Sequence, residues 1–242
     1  MKKFISSKKL ISMVAVLSIL VCSLGVFGIS ANAASDRVKL YAADRYFSRY
    51  GISGTYIYVQ TKDNAFKQSV TVHFNRLNGM AWEDAKAEYF TTMSDGSKIW
   101  KAYISSYNTE YAIKYNADGK TYWDNNDGKN YKDEVIGTAP IKATRTISYG
   151  NTYNISATLK NLAYNKDVVV RYTENNWKTY KDAKLSYTST NNDGTEVWDA
   201  RLTVNGSDLK NFKYCLSYTA NGKTYWDNNF GENYDYTYIL HR

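Results

Sequence analysis

From residue 38 onward, apolar and polar positions alternate in short runs separated by Asn, Asp and Gly. Trp100, Ala102 and Ile104 alternate with Lys101 and Tyr103, and Tyr111, Ile113 and Tyr115 alternate with Ala112 and Lys114. Val168 to Tyr172 is β-branched and aromatic, and Phe212 to Tyr218 alternates again. A period of two sends successive side chains to opposite faces, so each run predicts a strand. Asn116-Ala117-Asp118-Gly119 and Asn221-Gly222 predict hairpin turns. No segment beyond residue 34 sustains a helical period. The expectation is an all-β chain built as antiparallel, immunoglobulin-like sandwich.

The pattern occurs twice. Gly-Lys-Thr-Tyr-Trp-Asp-Asn-Asn stands at 119–126 and again at 222–229, an offset of 103. Upstream, Val70 to Tyr89 aligns with Val168 to Tyr187 at an offset of 98. The change of offset places a five-residue insertion near Asn205 to Asn211 of the second copy, as expected of a loop. Two copies of this length predict two tandem sandwich modules, over 36–136 and 141–242. The boundary falls near Gly137-Thr138-Ala139-Pro140, which holds the only proline. So short a linker restricts the mutual orientation of the modules.

Ahead of them, Lys2, Lys3, Lys8 and Lys9 precede a largely apolar stretch over 10–29 that ends at Ala31-Asn32-Ala33. A basic start, an apolar run and small residues at the end read as a signal peptide over 1–33, cleaved after Ala33. The apolar run is long enough for a membrane anchor, but the cleavage pattern follows at once and no stop-transfer pattern does. The expectation is therefore a secreted, extracellular protein, or one held at the cell surface, with no membrane association after cleavage. Removing four lysines lowers the formal charge from +8 to +4. That balance does not call for nucleic acid as a partner. Only Cys215 then remains, so no disulfide forms within the mature chain, and its strand context makes it a small buried hydrophobe.

Enzyme chemistry finds little support. His73 and His241 are the only histidines, and neither recurs in the other copy. A His-based triad or a zinc site is not expected, and no cofactor or metal is. Asp124 and Asp227 recur but are followed by amides, so they are read as ordering turns rather than as a glycosidase pair. Asp124 to Gly128 resembles the start of an EF-hand, but its glycine comes one position early and the second copy has Phe230 in place of Asp127.

Sugar binding is better served. A sugar ring offers weakly positive C–H faces, which suit the negative face of an aromatic ring, and hydroxyls, which suit amides that donate and accept at once. The chain has 24 tyrosines, residues used both in binding surfaces and in strands. In Lys-Thr-Tyr-Trp-Asp-Asn-Asn, alternation sends Tyr122 and Trp123 to opposite faces, one toward a core and one outward. The residues alone do not say whether the Trp of each copy serves a site or a core.

Lys-Thr-Tyr-Trp-Asp-Asn-Asn followed by Gly-x-Asn-Tyr resembles the signature of carbohydrate-binding module family 21. Asn161-Leu-Ala-Tyr164-Asn-Lys166 and Val170-Arg-Tyr-Thr-Glu-Asn-Asn-Trp177 carry the resemblance further, over 38–131 and 141–234. The resemblance implies binding of α-1,4-glucans such as starch, glycogen and maltooligosaccharides at two surface sites. In the second copy it implies Trp177 and Trp226 with Asn228 and Asn233 at one site. At the other it implies Tyr164 and Tyr187 with Asn161, Lys166 and Glu196. Two aromatic positions of the family fall on Cys215 and Thr195. In the first copy Trp123, Asn125 and Asn130 match, Phe66 stands for Tyr164, Tyr89 for Tyr187, and Gly79 falls where Trp177 would be. Trp82 aligns with Tyr180 and is the substitute. The second module is thus expected to bind more tightly. Trp100, Trp198, Tyr131 and Tyr234 are read as structural.

The resulting expectation is a non-enzymatic, monomeric α-glucan-binding protein whose two modules give avidity beside separate amylolytic enzymes. The alternative is a cell-surface adhesin or protein-interaction module that keeps the fold but takes another ligand. Arg37-Val38-Lys39-Leu40 is near the phosphatase-docking segment of glycogen-targeting relatives but lacks its aromatic residue.

Overall fold

In the computed structural model, the described residues are 36–48, 51–76, 81–105, 110–132, 135–204 and 209–235. The expected signal peptide, Gly79, His241 and part of the expected insertion lie outside them. The first half contains β1 (Val38–Ser48), β2 (Gly51–Thr61), β3 (Gln68–Asn75), β4 (Trp82–Thr92), β5 (Lys98–Ile104), β6 (Glu110–Ala117) and β7 (Lys120–Asp124). The second contains β8 (Ile141–Tyr149), β9 (Thr152–Leu159), β10 (Lys166–Thr173), β11 (Lys181–Lys184), β12 (Ser186–Thr190), β13 (Glu196–Thr203), β14 (Lys213–Ala220), β15 (Lys223–Asp227) and β16 (Tyr234–Asp235). Strand pairing among them is antiparallel.

The order in the first half is β1-β2-β5-β4-β3-β6-β7. β4 makes this possible by changing layers. Trp82 to Ala87 pairs with β3, whereas Glu88 to Thr92 pairs with β5 across a bulge. In the second half the same strand is interrupted at Leu185, so β11 pairs with β10 and β12 with β13, giving two separate sheets. Ala87 and Leu185 are both buried at the crossing. Bulges increase twist and let one strand serve two layers. Asp118-Gly119 and Asn221-Gly222 have positive φ at both positions, the geometry of the tight hairpins expected there.

Each half has its own core. Val38, Leu40, Ile57, Val59, Val70, Val72, Ile113 and Tyr115 belong to one, and Ile141, Ile155, Leu159, Val168, Val170, Leu216 and Tyr218 to the other. Tyrosine contributes to both cores, and in the second Tyr214 bonds Thr146 at 2.6 Å and Tyr218 donates to the Lys160 carbonyl at 2.9 Å. Trp100 and Trp198 pack against the cores from partly buried positions. Cys215 is buried, and burial pushes its thiol up to about 11.

The repeated Asp does more than order a turn, a correction to the sequence reading. Asp124 accepts from the Leu40 amide at 2.8 Å and from Tyr131 Oη at 2.7 Å. Asp227 accepts from the Ala143 amide at 2.6 Å and from Tyr234 Oη. Each carboxylate thereby ties the end of the motif strand to the first strand of its half and to the motif's terminal Tyr. Asp227 also accepts from the Asn229 amide, so the turn contribution is real but secondary.

The halves touch. Residues 135–139 run along β1, with Gly137 and Ala139 donating to the Tyr41 carbonyl and Thr138 to that of Leu40. A Cβ at Gly137 would lie 2.0 Å from the Leu40 oxygen, so only glycine fits there. Phe230, at the turn after β15, packs on Tyr58 (4.9 Å), Phe90 (5.2 Å) and Tyr41 (5.6 Å). Lys142 is buried, donating to Tyr234 Oη with Asp44 at 4.0 Å, and burial holds its ammonium below the usual lysine range.

Candidate carbohydrate-binding surfaces

The alternation left open by the sequence resolves the same way in both copies. Tyr122 and Tyr225 pack against the cores, while Trp123 and Trp226 face the other side of the sheet. Trp226 is 49% exposed. Across the sheet, Arg171 on β10 lies over the Trp226 ring at 5.6 Å and over Tyr180 at 4.2 Å. Its guanidinium is held in place by Asp182, through Nε and Nη2 donations of 2.8 Å each. This bond pushes the Arg171 guanidinium further up and holds the Asp182 carboxyl below its ordinary range. The result is a surface strip of Tyr, Arg and Trp. Tyr180 is 57% exposed, so two aromatic faces are open to a ligand.

The first half repeats the strip with different chemistry. His73, at the position of Arg171, stacks on Trp82 (4.8 Å, 11° between planes) and meets the edge of Trp123 at 5.8 Å. Asp84, at the position of Asp182, lies 2.6 Å from His73 Nδ1. Lys114 lies over Trp123 at 5.8 Å. Trp82 therefore reaches the Trp123 side through an imidazole.

The sequence reading missed Arg171, Tyr180 and His73. The signal lay in the shared offset of 98, which pairs Arg171 with His73, Asp182 with Asp84 and Tyr180 with Trp82. Trp177 is half-buried in a turn where Asn176 and Trp177 both have positive φ. Thr173 Oγ1 accepts from the Trp177 amide at 2.9 Å. Its indole Nε1 is buried without a hydrogen-bond partner among the described residues, and no ring contact there joins it to Trp226. Asn228 is exposed and caps the following turn by accepting from the Gly231 amide. Asn233 and its counterpart Asn130 both have positive φ, and Asn125 accepts from the Gly128 amide. Asn125 and Asn228 thus shape the loop beside each Trp.

The second set of residues lies on the other side of each half. Tyr164 is 98% exposed and Phe66 94% exposed, each at the tip of the loop before β10 or β3. Tyr187 and Tyr89 are about half exposed; each hydroxyl bonds a Thr at 2.9 Å, and each ring meets a Trp edge-on, Trp198 and Trp100 respectively. Asn161 is exposed. Lys166 and Glu196 are buried against one another at 3.0 Å, and Glu196 also accepts from Trp198 Nε1 at 2.9 Å. They hold Trp198, and through it Tyr187, rather than facing outward. In the first half Gln68 and Lys98 take these positions, bonded at 2.7 Å, and Trp100 turns its Nε1 to Thr61 instead.

Arg37 to Leu40 enters β1, where Val38 and Leu40 are fully buried, so this segment is not available for docking. Among the described residues no group of three or more His, Cys, Asp or Glu could hold a metal ion, and no helix is long and apolar enough to cross a membrane.

Residues 147–237 match the family described as carbohydrate/starch-binding module (family 21). The protein phosphatase 1 regulatory subunit 3B of Danio rerio is 36% identical over 81 residues, covering 31% of this chain and 27% of its own length. The chain thus spans about a quarter of that relative. Among solved structures, the starch-binding domain of Rhizopus oryzae glucoamylase, in complex with β-cyclodextrin and maltoheptaose, is 27% identical, covers 40% of this chain and 92% of its own, and has a TM-score of 0.35. The carbohydrate-binding module of the muscle glycogen-targeting subunit of protein phosphatase 1 is 21% identical, covering 39% and 73%, with a TM-score of 0.34.

Proposed function

We propose that the chain, whose residues 147–237 match the carbohydrate/starch-binding module (family 21), is a secreted, non-catalytic protein that holds α-1,4-glucan on two tandem modules, 36–136 and 141–242. The observation that carries this reading is the Tyr180–Arg171–Trp226 strip, an open aromatic surface fixed by a bidentate carboxylate and flanked by loop amides. Sugar rings stack on Trp226 and Tyr180, and Asn228 and Asn233 meet their hydroxyls. Tyr164 and Tyr187, with Asn161 beside them, form the second surface, which Lys166 and Glu196 support from below. Trp82, Trp123, Asn125 and Asn130, with Phe66 and Tyr89, serve the first module in the same two ways, the second module being the stronger. Removal of residues 1–33 leaves the protein outside the cell or at its surface, a monomer that keeps polysaccharide near separate amylolytic enzymes.

Two modules on one multivalent polysaccharide gain avidity of ~10²–10⁴ when both engage. The test is retention on granular starch with cellulose as control. Starch alone is expected to retain the protein, and Trp226→Ala to weaken retention about tenfold. Absence of retention by starch would move the adhesin reading, with another glycan or a protein as ligand, to the front.

A further inference from the structure

A cleft of about 650 Å³ lies between the two halves, within the size range of ligand sites. The first half supplies Asn126, Asp127 and Lys129 from the loop after β7, and the second supplies Lys160, Asn161 and Asp193. Residues 136–138, zipped to β1, form its floor. The halves also meet where Phe230 is seated on Tyr41, Tyr58 and Phe90. Phe230 and Asp127 are the same position of the repeat, 103 residues apart: one copy uses it to dock the halves, the other to line the cleft.

We propose that this cleft is a further binding site, one that takes a stretch of neutral glucan chain and connects the surfaces of the two halves. The inference rests on the α-glucan reading above. Its chemistry is that of a polyol site. Lys129, Lys160, Asp127 and Asn161 make no side-chain hydrogen bond or ion pair with the described residues, so donors and acceptors stand unspent on both walls. Ammonium and carboxylate groups nearly balance there, which suits hydroxyls and not a polyanion. Lys160 is half-buried, and burial holds its ammonium below the usual lysine range, so a hydroxyl partner restores part of what desolvation removed. Two residues of the lining stand close in the chain to residues of the two surfaces. Asn126 adjoins Asn125 in the loop beside Trp123, and Asn161 lies three residues before Tyr164. A chain stacked on either surface extends into the cleft, whereas a disaccharide on an aromatic face does not reach it.

The experiment titrates the full chain and a Lys129→Ala/Lys160→Ala variant with maltose and with maltoheptaose. It also measures acylation rates of individual lysines in the unsubstituted protein, with and without maltoheptaose. The double substitution is expected to weaken maltoheptaose binding about tenfold and leave maltose binding unchanged. Maltoheptaose is expected to slow acylation of Lys129 and Lys160 but not of exposed Lys120. Equal maltoheptaose affinity, or unprotected lysines, would overturn the cleft and leave the glucan reading standing. A parallel loss of maltose affinity would also overturn it, since the substitutions would then act on the aromatic surfaces. Failure of the unsubstituted protein to bind either sugar would overturn both proposals together.

Discussion

Arg171 donates twice to Asp182 while its guanidinium covers Tyr180 and approaches Trp226. One planar cation thus spaces two aromatic faces, a task that lysine, with a compact charge and no fork, does not perform. The pair's dependence on pH follows from Asp182. Its folded carboxyl is held below the reference value of 3.8, so its contribution is fully present above that value and is lost as pH falls through the lower folded one. Binding by the second half is therefore expected to stay level from pH 8 to about 5 and to decline only below about pH 4. Titrating the part of the tryptophan fluorescence response to maltoheptaose that a Trp226→Phe variant loses, across this range, checks it. A midpoint near neutrality would show that another group controls the strip.

At the scale of elements, the repeated Lys-Thr-Tyr-Trp-Asp strand carries three tasks in consecutive residues. Tyr225 joins the core, Trp226 faces outward, and Asp227 locks the strand end to β8 and Tyr234. Period-two geometry makes the first two tasks compatible, and the carboxylate fixes the register that keeps Trp outward. Asp227→Ala would strand the Ala143 amide and the Tyr234 hydroxyl in a buried place. It is expected to cost about 3 kcal/mol and lower the melting temperature by roughly 6–10 °C. Calorimetry on the variant tests this, and a shift of a degree or less would mean that the turn contact with Asn229 was its main role. The Thr173 bonds act likewise on the turn bearing Trp177 and set its backbone in a conformation that non-glycine residues seldom adopt.

At the scale of the molecule, two cores are joined by a tightly packed linker and one aromatic seat. Phe230 stands where the other copy has Asp127, and its ring contacts reach three aromatics of the first half. Lys101 lies over Tyr56, Tyr58 and Phe90 on the same patch, and burial holds its ammonium down. Phe230→Asp would return this position to the residue of the first copy and empty the seat. Unfolding is expected to separate into two transitions, and retention on granular starch to fall about tenfold as the halves lose their fixed spacing. A single transition at the original temperature, with retention unchanged, would show that the linker alone sets the orientation.

The sequence determined whatever depends on local order. The strands Lys98–Ile104, Glu110–Ala117, Lys166–Thr173 and Lys213–Ala220 follow from alternation or β-branched runs, the hairpins at Asp118-Gly119 and Asn221-Gly222 from residues that accept positive φ, and the repeat from direct identity. Trp226, Tyr164 and Phe66 were marked only through the resemblance to family 21 modules, since the residues alone left the role of each Trp open. Only the tertiary structure decided which ring of each Tyr-Trp pair turns outward, since alternation distinguishes two faces but does not name the buried one. It decided as well that Lys166 and Glu196 support their surface from beneath, and that Arg171 and Tyr180 complete the strip with Trp226. Those partners lie on different strands, and their meeting is set by sheet register. The seat of Phe230 and the cleft between the halves belong to neither copy of the repeat, so they come into being only where two folded halves meet.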